Sequence, residues 1–470
     1  MTSAHQGKIC GPIYNSRVTI AATRDSAVLR RSFRKSFPAA VRGEGVYVWD
    51  SAGKRYLDLS GSAAVNFIGH GVPEISAAMA VQAAQLEFVH TSQFTTPVAE
   101  AYAEELLAFA GDHFRGGAVY FTSGGSESIE TALKLARQYQ VEIGQPQRFQ
   151  ILSREQSYHG STLGALAVSG NKKRRQIYLP MVKEFAHIGI PYCYRCKFDC
   201  AESCYTCGQQ YAAELEHAIV ESNGAAAAFI FEPVSGATLG AVTPPPGYLE
   251  RIAEICRSHG VLLIADEVMT GMGRTGRNFA VEHWKLAPDI LVAAKGLSSG
   301  YAPLGAVIAS KKIVDAIAAG SGAFLHGFTY NAHPISVAAG HAVLRHLAKH
   351  NLVQTADSQA EGSPAQKLRK ALDGLLELPS VGDVRGIGLL LGVEFVADKK
   401  TKAPLVPEKN FAGRVGQAAM QRGLLVYPMQ GSVDGVSGDH LLVAPPAIIT
   451  PEQITWAVEQ LREAITEAAK

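Results

Sequence analysis

The sequence predicts an α/β fold: a large domain on a mostly parallel sheet, and a smaller α+β domain made by the N- and C-terminal segments. Three observations predict it. From about residue 96 to 310, strand-like and helix-like runs alternate. The strand-like runs are short and continuously apolar, the pattern of a sheet covered on both faces. After about residue 340 the pattern changes to amphipathic helices followed by strand-like runs. At roughly 100–200 residues per domain, 470 residues predict two or three domains. The expected division is 1–75 as an N-terminal arm and part of the smaller domain, 76–340 as the large domain with a Cys-rich insert at 192–208, and 341–470 as the C-terminal smaller domain.

The elements follow in order. The 41–70 segment is glycine-rich and opens with strand-like VYVWD (46–50). A helix over Ala99–Ala110 leads to AVYFTS (118–123), and a helix over Glu127–Tyr139 leads to FQILS (149–153). AAFIFEP (227–233) follows an irregular stretch, and the helix Leu249–His259 stops at Gly260, a C-terminal capping residue. VLLIADEV (261–268), DILVAAK (289–295) and LGAVIAS (304–310) complete the large domain. Helical stretches at 335–349 and 364–377 precede GLLLGVEF, another helix, GLLVYP, HLLVAPP and a last helix.

Composition excludes several classes. With 47% apolar and 18% charged residues the chain has material for a large core and is not disordered. A net charge of +2 gives no long-range pull toward nucleic acid or anionic lipid. No apolar run reaches the ~18 residues of a membrane span. The first twenty residues lack an apolar signal-peptide core, and the Arg- and Ser-bearing 17–42 stretch reads as a surface arm rather than a transit peptide, so a cytoplasmic protein is expected.

Chemistry concentrates where strands end, the edge at which open parallel sheets bind ligands. After AVYFTS comes Ser123-Gly124-Gly125-Ser126 at the start of a helix, a place for a phosphate on free N–H groups. A Ser-capped helix after a glycine turn would look the same. VLLIADEV ends in Asp266 and Glu267, costly to bury unless a cation such as a protonated ring nitrogen meets the carboxylate. DILVAAK ends in Lys295, whose burial would depress its pKa and make the amine nucleophilic. A structural ion pair and a snorkelling lysine are the plain alternatives. Together, phosphate cradle, carboxylate and imine-forming lysine are the parts of a pyridoxal-phosphate (PLP) site. Tyr158 can stack on one face of its ring and Val268 support the other.

At these residues the chain resembles the class III aminotransferases of PLP fold type I. The motifs that carry the resemblance are TSGGSE (122–127), YHG (158–160), EPV (232–234), ADEVMTGMGRTG (265–276), PDILVAAKGLSSGYAPLGA (288–306), HGFTYNAHP (326–334) and VRGIGLLLGVE (384–394). The resemblance covers nearly the whole chain, from Gly43 to the last helix. The resemblance implies a seven-stranded sheet, Lys295 as the imine-forming lysine and proton shuttle, and Asp266 as partner of the pyridine nitrogen. It further implies Gly125 and Ser126 on the phosphate, Tyr158 on the ring, Glu232 buried near Asp266, and Thr329 reaching the phosphate of a neighbouring subunit. A homodimer or a tetramer is therefore implied, with small-molecule amine and oxo acid as the other partners. The implied reaction is ping-pong transamination.

Departures from the pattern shape the substrate expectation. Where relatives that use 2-oxoglutarate carry a glutamate that gates the arginine of the VRG motif, this chain has Ala237, which leaves Arg385 without that partner. This favours the amine:pyruvate, or ω-amine, branch. The mobile arginine of many ω-amine members is absent from 431–440, so Arg385 is the first candidate for the acceptor carboxylate, against a structural arginine at a strand start. Ser62 and its neighbours in GSAAVN (61–66) are small where many relatives are aromatic, leaving volume for a bulky or long amine. Other class III activities, epimerase, racemase or aminomutase, keep the same lysine and aspartate, and a non-catalytic PLP-fold protein is a further alternative. Cys193, Cys196, Cys200, Cys204 and Cys207 have spacings that suit a thiolate metal site, yet transamination needs no metal and none is assigned.

Overall fold

A computed structural model describes residues 27–33, 35–198 and 204–470. Most of the expected N-terminal arm and Cys200 lie outside the described residues. The central sheet has seven strands, in the order Ala118–Thr122, Gly305–Ala309, Ile290–Ala293, Leu262–Asp266, Ala226–Phe231, Gln150–Arg154 and His187–Ile188. Only Gly305–Ala309 runs against its neighbours; the other pairs are parallel. The apolar runs behave as their composition requires. Ala226–Phe231, Leu262–Asp266, Ile290–Ala293 and Gly305–Ala309 are buried at every position, with helices on both faces.

Helix signals are close to the observed bounds. Thr96 caps Pro97–Ala110 by accepting the Ala99 N–H, and Gly260, at φ 65°, ends Tyr248–His259 in the left-handed region that glycine tolerates. The stretch expected as one helix at 364–377 is Pro364–Asp373 followed by a 3₁₀ turn, Gly374–Glu377. GLLVYP divides into two short strands, Leu424–Leu425 and Tyr427–Gln430, which join different sheets.

Two four-stranded sheets flank the large one. Val381–Ile387, Leu390–Phe395, Asp439–Val443 and Tyr427–Gln430 form an antiparallel sheet from the C-terminal segment. Ala40–Glu44, Tyr47–Asp50 and Arg55–Asp58 form a meander whose last strand pairs in parallel with Leu424–Leu425, so the two chain ends share one sheet. Arg274 stitches this region to the large sheet. It is 2% exposed, and its guanidinium donates to the carbonyls of Asn66 (3.1 Å), Ala444 (3.0 Å) and Pro445. Burial among carbonyls, with no carboxylate in contact, pushes its pKa down to about 9.

Candidate active site

Parallel strands deliver their C-terminal ends to one edge, and the register lines them up. Asp266 is the last residue of its strand and pairs with Val292, three residues before Lys295. Thr122, before the Ser123–Ser126 turn, pairs with Gly305. Because Gly305–Ala309 runs backwards, the residues before it, Ala302 to Leu304, arrive at that same edge. There a cavity of about 460 Å³ opens, and Gly125, Ser126, Tyr158, Glu232, Asp266, Val268 and Lys295 all line it.

Lys295 begins a 3₁₀ turn and holds a left-handed backbone, φ 46°, a conformation that costs a non-glycine residue about 1 kcal/mol or more. With that backbone Lys295 lines the cavity. Shielding from bulk water lowers its pKa to about 8, and the nearby Asp266 and Glu232 carboxylates oppose the drop. Asp266 accepts the Val268 N–H at 3.1 Å through Oδ1, and His159 Nδ1 lies 2.7 Å from its Oδ2. Glu232 is buried; its Oε1 accepts the Gly236 N–H (2.9 Å) and its Oε2 the Tyr158 N–H (3.3 Å). Burial raises the Glu232 pKa.

The anion-binding end is the start of Gly125–Glu142, an 18-residue helix capped by Gly124 with no side chain on its first N–H groups. Gly124, Gly125 and Ser126, at this helix start, line the cavity. At Gly125 the fit is close: a Cβ there would sit 3.2 Å from Val268 Cγ1. At Gly160, φ 148°, a Cβ would sit 2.7 Å from Ser126 Oγ. Tyr158 holds its hydroxyl 2.9 Å from Ser161 Oγ, and the Ser161 N–H donates to Ser126 Oγ at 3.0 Å, so the tyrosine and the cradle are one network.

The donor set suits a PLP ring and its phosphate: N–H groups and a hydroxyl for a dianion, a carboxylate for a protonated nitrogen, and a partly deprotonated amine for an aldehyde.

Residues 30–465 match the model of the Aminotransferase class-III family. The chain belongs to the class III aminotransferases. The aminotransferase is 40% identical over 449 residues to the uncharacterized aminotransferase YodT of Bacillus subtilis, covering 95% of this chain and 98% of that one. It is 32% identical to a putrescine–pyruvate aminotransferase of Pseudomonas aeruginosa, covering 97% and 99%. A solved (S)-enantioselective omega-transaminase from Thermomicrobium roseum superposes with a TM-score of 0.86 at 37% identity, covering 93% and 94%. The class III aminotransferase is thus a fold type I enzyme, and its cofactor is PLP.

The structure does not bring every expected residue to the cavity. Ser62 turns its hydroxyl to Asp58 Oδ2 (2.7 Å), and Ala237 is packed in a small apolar cluster with Val234 and Leu390, its carbonyl accepting from His440 Nε2. Thr329 lies in an exposed turn outside the lining. Arg385, which lacks a gating glutamate at position 237, has two other carboxylate partners. It is 9% exposed, sits 2.7 Å from Glu394 and 2.9 Å from Asp383, and donates to the carbonyls of Leu239 and Gly240. Its neighbours on the antiparallel sheet supply the charge that loss of the gating glutamate removed: Glu394 is paired across from Asp383 in the ladder.

Two lining or supporting residues went unassigned in the sequence. His159 was visible inside the YHG motif, but its pairing with Asp266 joins residues 107 positions apart. Arg174 lies with its guanidinium carbon 4.2 Å from the Tyr158 ring centroid. Nothing in the basic run Lys172–Arg175 distinguishes it from a solvated turn.

Metal-type ligands also converge elsewhere. Among the described residues, Glu74, His346 and His350 offer ligand atoms within 4.8 Å of one another, but the Lys349 ammonium is already 3.1 Å from Glu74. Cys193, Cys196, Cys204 and Cys207 form no disulfide with one another. Burial, with Cys204, Cys196 and Cys207 nearby, pushes the Cys193 thiol up to about 11.

Proposed function

We propose that this enzyme moves the amino group of a primary amine or ω-amino compound to pyruvate by a ping-pong mechanism. The observation that carries the reading is the composition of the cavity wall. Lys295 is its only cationic side chain among the described residues, and Val65, Val234, Val268, Met269 and Leu304 make much of the remainder. A donor that presents a bare CH–NH₃⁺ group beside an apolar substituent needs no fixed guanidinium. The putrescine–pyruvate relative and the omega-transaminase neighbour support the same donor class.

PLP, when bound, supplies an aldehyde for imine exchange and an electron sink for the carbanion left at the donor's Cα. The chain's residues do the rest. Gly125, Ser126 and the helix start would hold the phosphate. Asp266 would hold a proton on the ring nitrogen, and His159 orients Asp266. Tyr158 and Val268 would supply the contacts to the two ring faces. Lys295, as a free amine, would accept the proton from the donor's Cα and, in the second half-reaction, would deliver a proton to the carbon that becomes the product's Cα. In this reading Thr329 completes the phosphate site of a second copy, so the working unit is a homodimer, and the protein is cytoplasmic.

The test is direct. Holoenzyme incubated with a primary amine and pyruvate yields alanine, and initial rates with both substrates varied give parallel double-reciprocal lines. Donor racemisation with no oxo acid present, and no alanine with any amine, would overturn the reading in favour of an epimerase.

A further inference from the structure

An oxo acid brings a carboxylate that the amine donor lacks, and the cavity wall holds no guanidinium to receive it. Arg385 is engaged by two carboxylates and two carbonyls. Residues 431–440 contain no arginine. The cation has to come from the rim.

Arg174 stands there. It belongs to the short turn Lys172–Arg175, which Asn171 anchors by accepting the Arg174 N–H at 3.1 Å. Its side chain is half-buried and lies flat on Tyr158, itself part of the cavity wall. No acidic side chain among the described residues pairs with it. Its charge nevertheless reaches the cavity floor, because it is one of the groups that disfavour the protonated Lys295. The rest of the turn faces elsewhere. Arg175 sees Glu184 and His187. Lys172 packs on the 431–438 loop, where its Cβ would be 3.2 Å from a Cβ at Gly435.

A guanidinium held only by an aromatic face is available to an anion. Its planar fork matches a carboxylate with two parallel N–H···O bonds, which a cation–π contact does not rival. We propose that Arg174 is the specificity-determining residue for the acceptor: its guanidinium moves off the Tyr158 ring to hold the carboxylate of the oxo acid, and returns when an amine without a carboxylate occupies the site. One flexible side chain then serves both half-reactions in a single cavity. The assignment rests on the transaminase reading above.

The experiment compares half-reactions of the holoenzyme. Arg174→Met keeps the length and removes the charge; Arg174→Lys keeps the charge without the fork; Lys173→Gln is a control on the same turn. Arg174→Met should raise the KM for pyruvate by about 10- to 100-fold, the worth of a hydrogen-bonded charge pair. Cofactor conversion by a primary amine without a carboxylate should stay within about twofold, as should KM for an uncharged aldehyde acceptor. Arg174→Lys should fall between, and Lys173→Gln should match the parent. An unchanged KM for pyruvate in Arg174→Met overturns the proposal, as does an equal loss in both half-reactions, which would make Arg174 a support for Tyr158 alone. Wild-type enzyme that forms no alanine overturns the transaminase reading itself.

Discussion

His159 Nδ1 and Asp266 Oδ2 are 2.7 Å apart in a buried contact, and the other imidazole nitrogen has no partner among the described residues. An imidazole that donates from Nδ1 orients the carboxylate. His159→Ala should therefore lower kcat by about 10- to 100-fold, the worth of a hydrogen bond to a charged group, while the lysine-bound cofactor remains. Asp266→Asn should cost more, about 10²- to 10³-fold, because it removes the preorganised charge itself. Steady-state kinetics with the visible spectrum as control checks both; a His159→Ala enzyme with unchanged kcat would reduce the imidazole to packing.

Lys295 makes a pH prediction. Its folded pKa of about 8 lies below the ordinary 10.5, so more free amine is present near neutrality than in an exposed lysine. In apoprotein, capture of PLP, trapped by borohydride and read as a mass shift on the Lys295 peptide, should rise with pH and level off above about 8. The unfolded chain binds more protons between about 8 and 10.5, so apoprotein stability should also rise over that window. An inflection near 10.5 would show that the amine is not desolvated.

Glu267, next to Asp266, is buried, accepts the Val281 N–H at 2.8 Å and is hydrogen-bonded by the Thr270 hydroxyl. Burial pushes its pKa up to about 7 from 4.5. A raised carboxyl favours the fold fully below pH 4.5, and that contribution is lost as pH rises through 7. The difference is about 3 kcal/mol at 1.36 kcal/mol per pKa unit. Glu267→Gln keeps the shape and cannot ionise. Calorimetric melting should find the variant more stable than the parent at pH 8 and alike at pH 4.5; equal curves at both pH values would refute the assignment.

Arg385 should behave as a structural residue. Arg385→Leu removes one of the two arginines on buried Glu394, leaving Arg195 at 2.6 Å, and should cost about 3 kcal/mol of stability, as loss of one buried ion-pair partner does. Urea denaturation measures it. If stability holds and only the KM for the oxo acid rises, Arg385 binds substrate and Arg174 does not.

Much of this was legible in the sequence because the chemistry sits where local pattern speaks. Asp266 and Lys295 are charged residues ending apolar strands, and the Ser123–Ser126 turn begins a helix. What escaped depends on distance. His159 finds Asp266 across three strands, and Arg385 finds Glu394 across a ladder, so the loss of one glutamate at 237 said nothing about its remaining partners. Gly305–Ala309 has the same all-apolar composition as its parallel neighbours, and composition does not encode strand direction. Ser62 was placed at the substrate by analogy, but three consecutive left-handed residues, Ser62 to Ala64, turn its hydroxyl to Asp58 instead.

The short parallel pairing of Leu57 with Leu424 and Asp58 with Leu425 has a consequence for biogenesis. On a ribosome, the opening meander emerges early and must wait for more than three hundred further residues before its open edge is covered. Until then the edge strand Arg55–Asp58 offers unpaired backbone, so the synthesis of Leu424–Leu425 decides whether that meander is protected from pairing with other nascent chains.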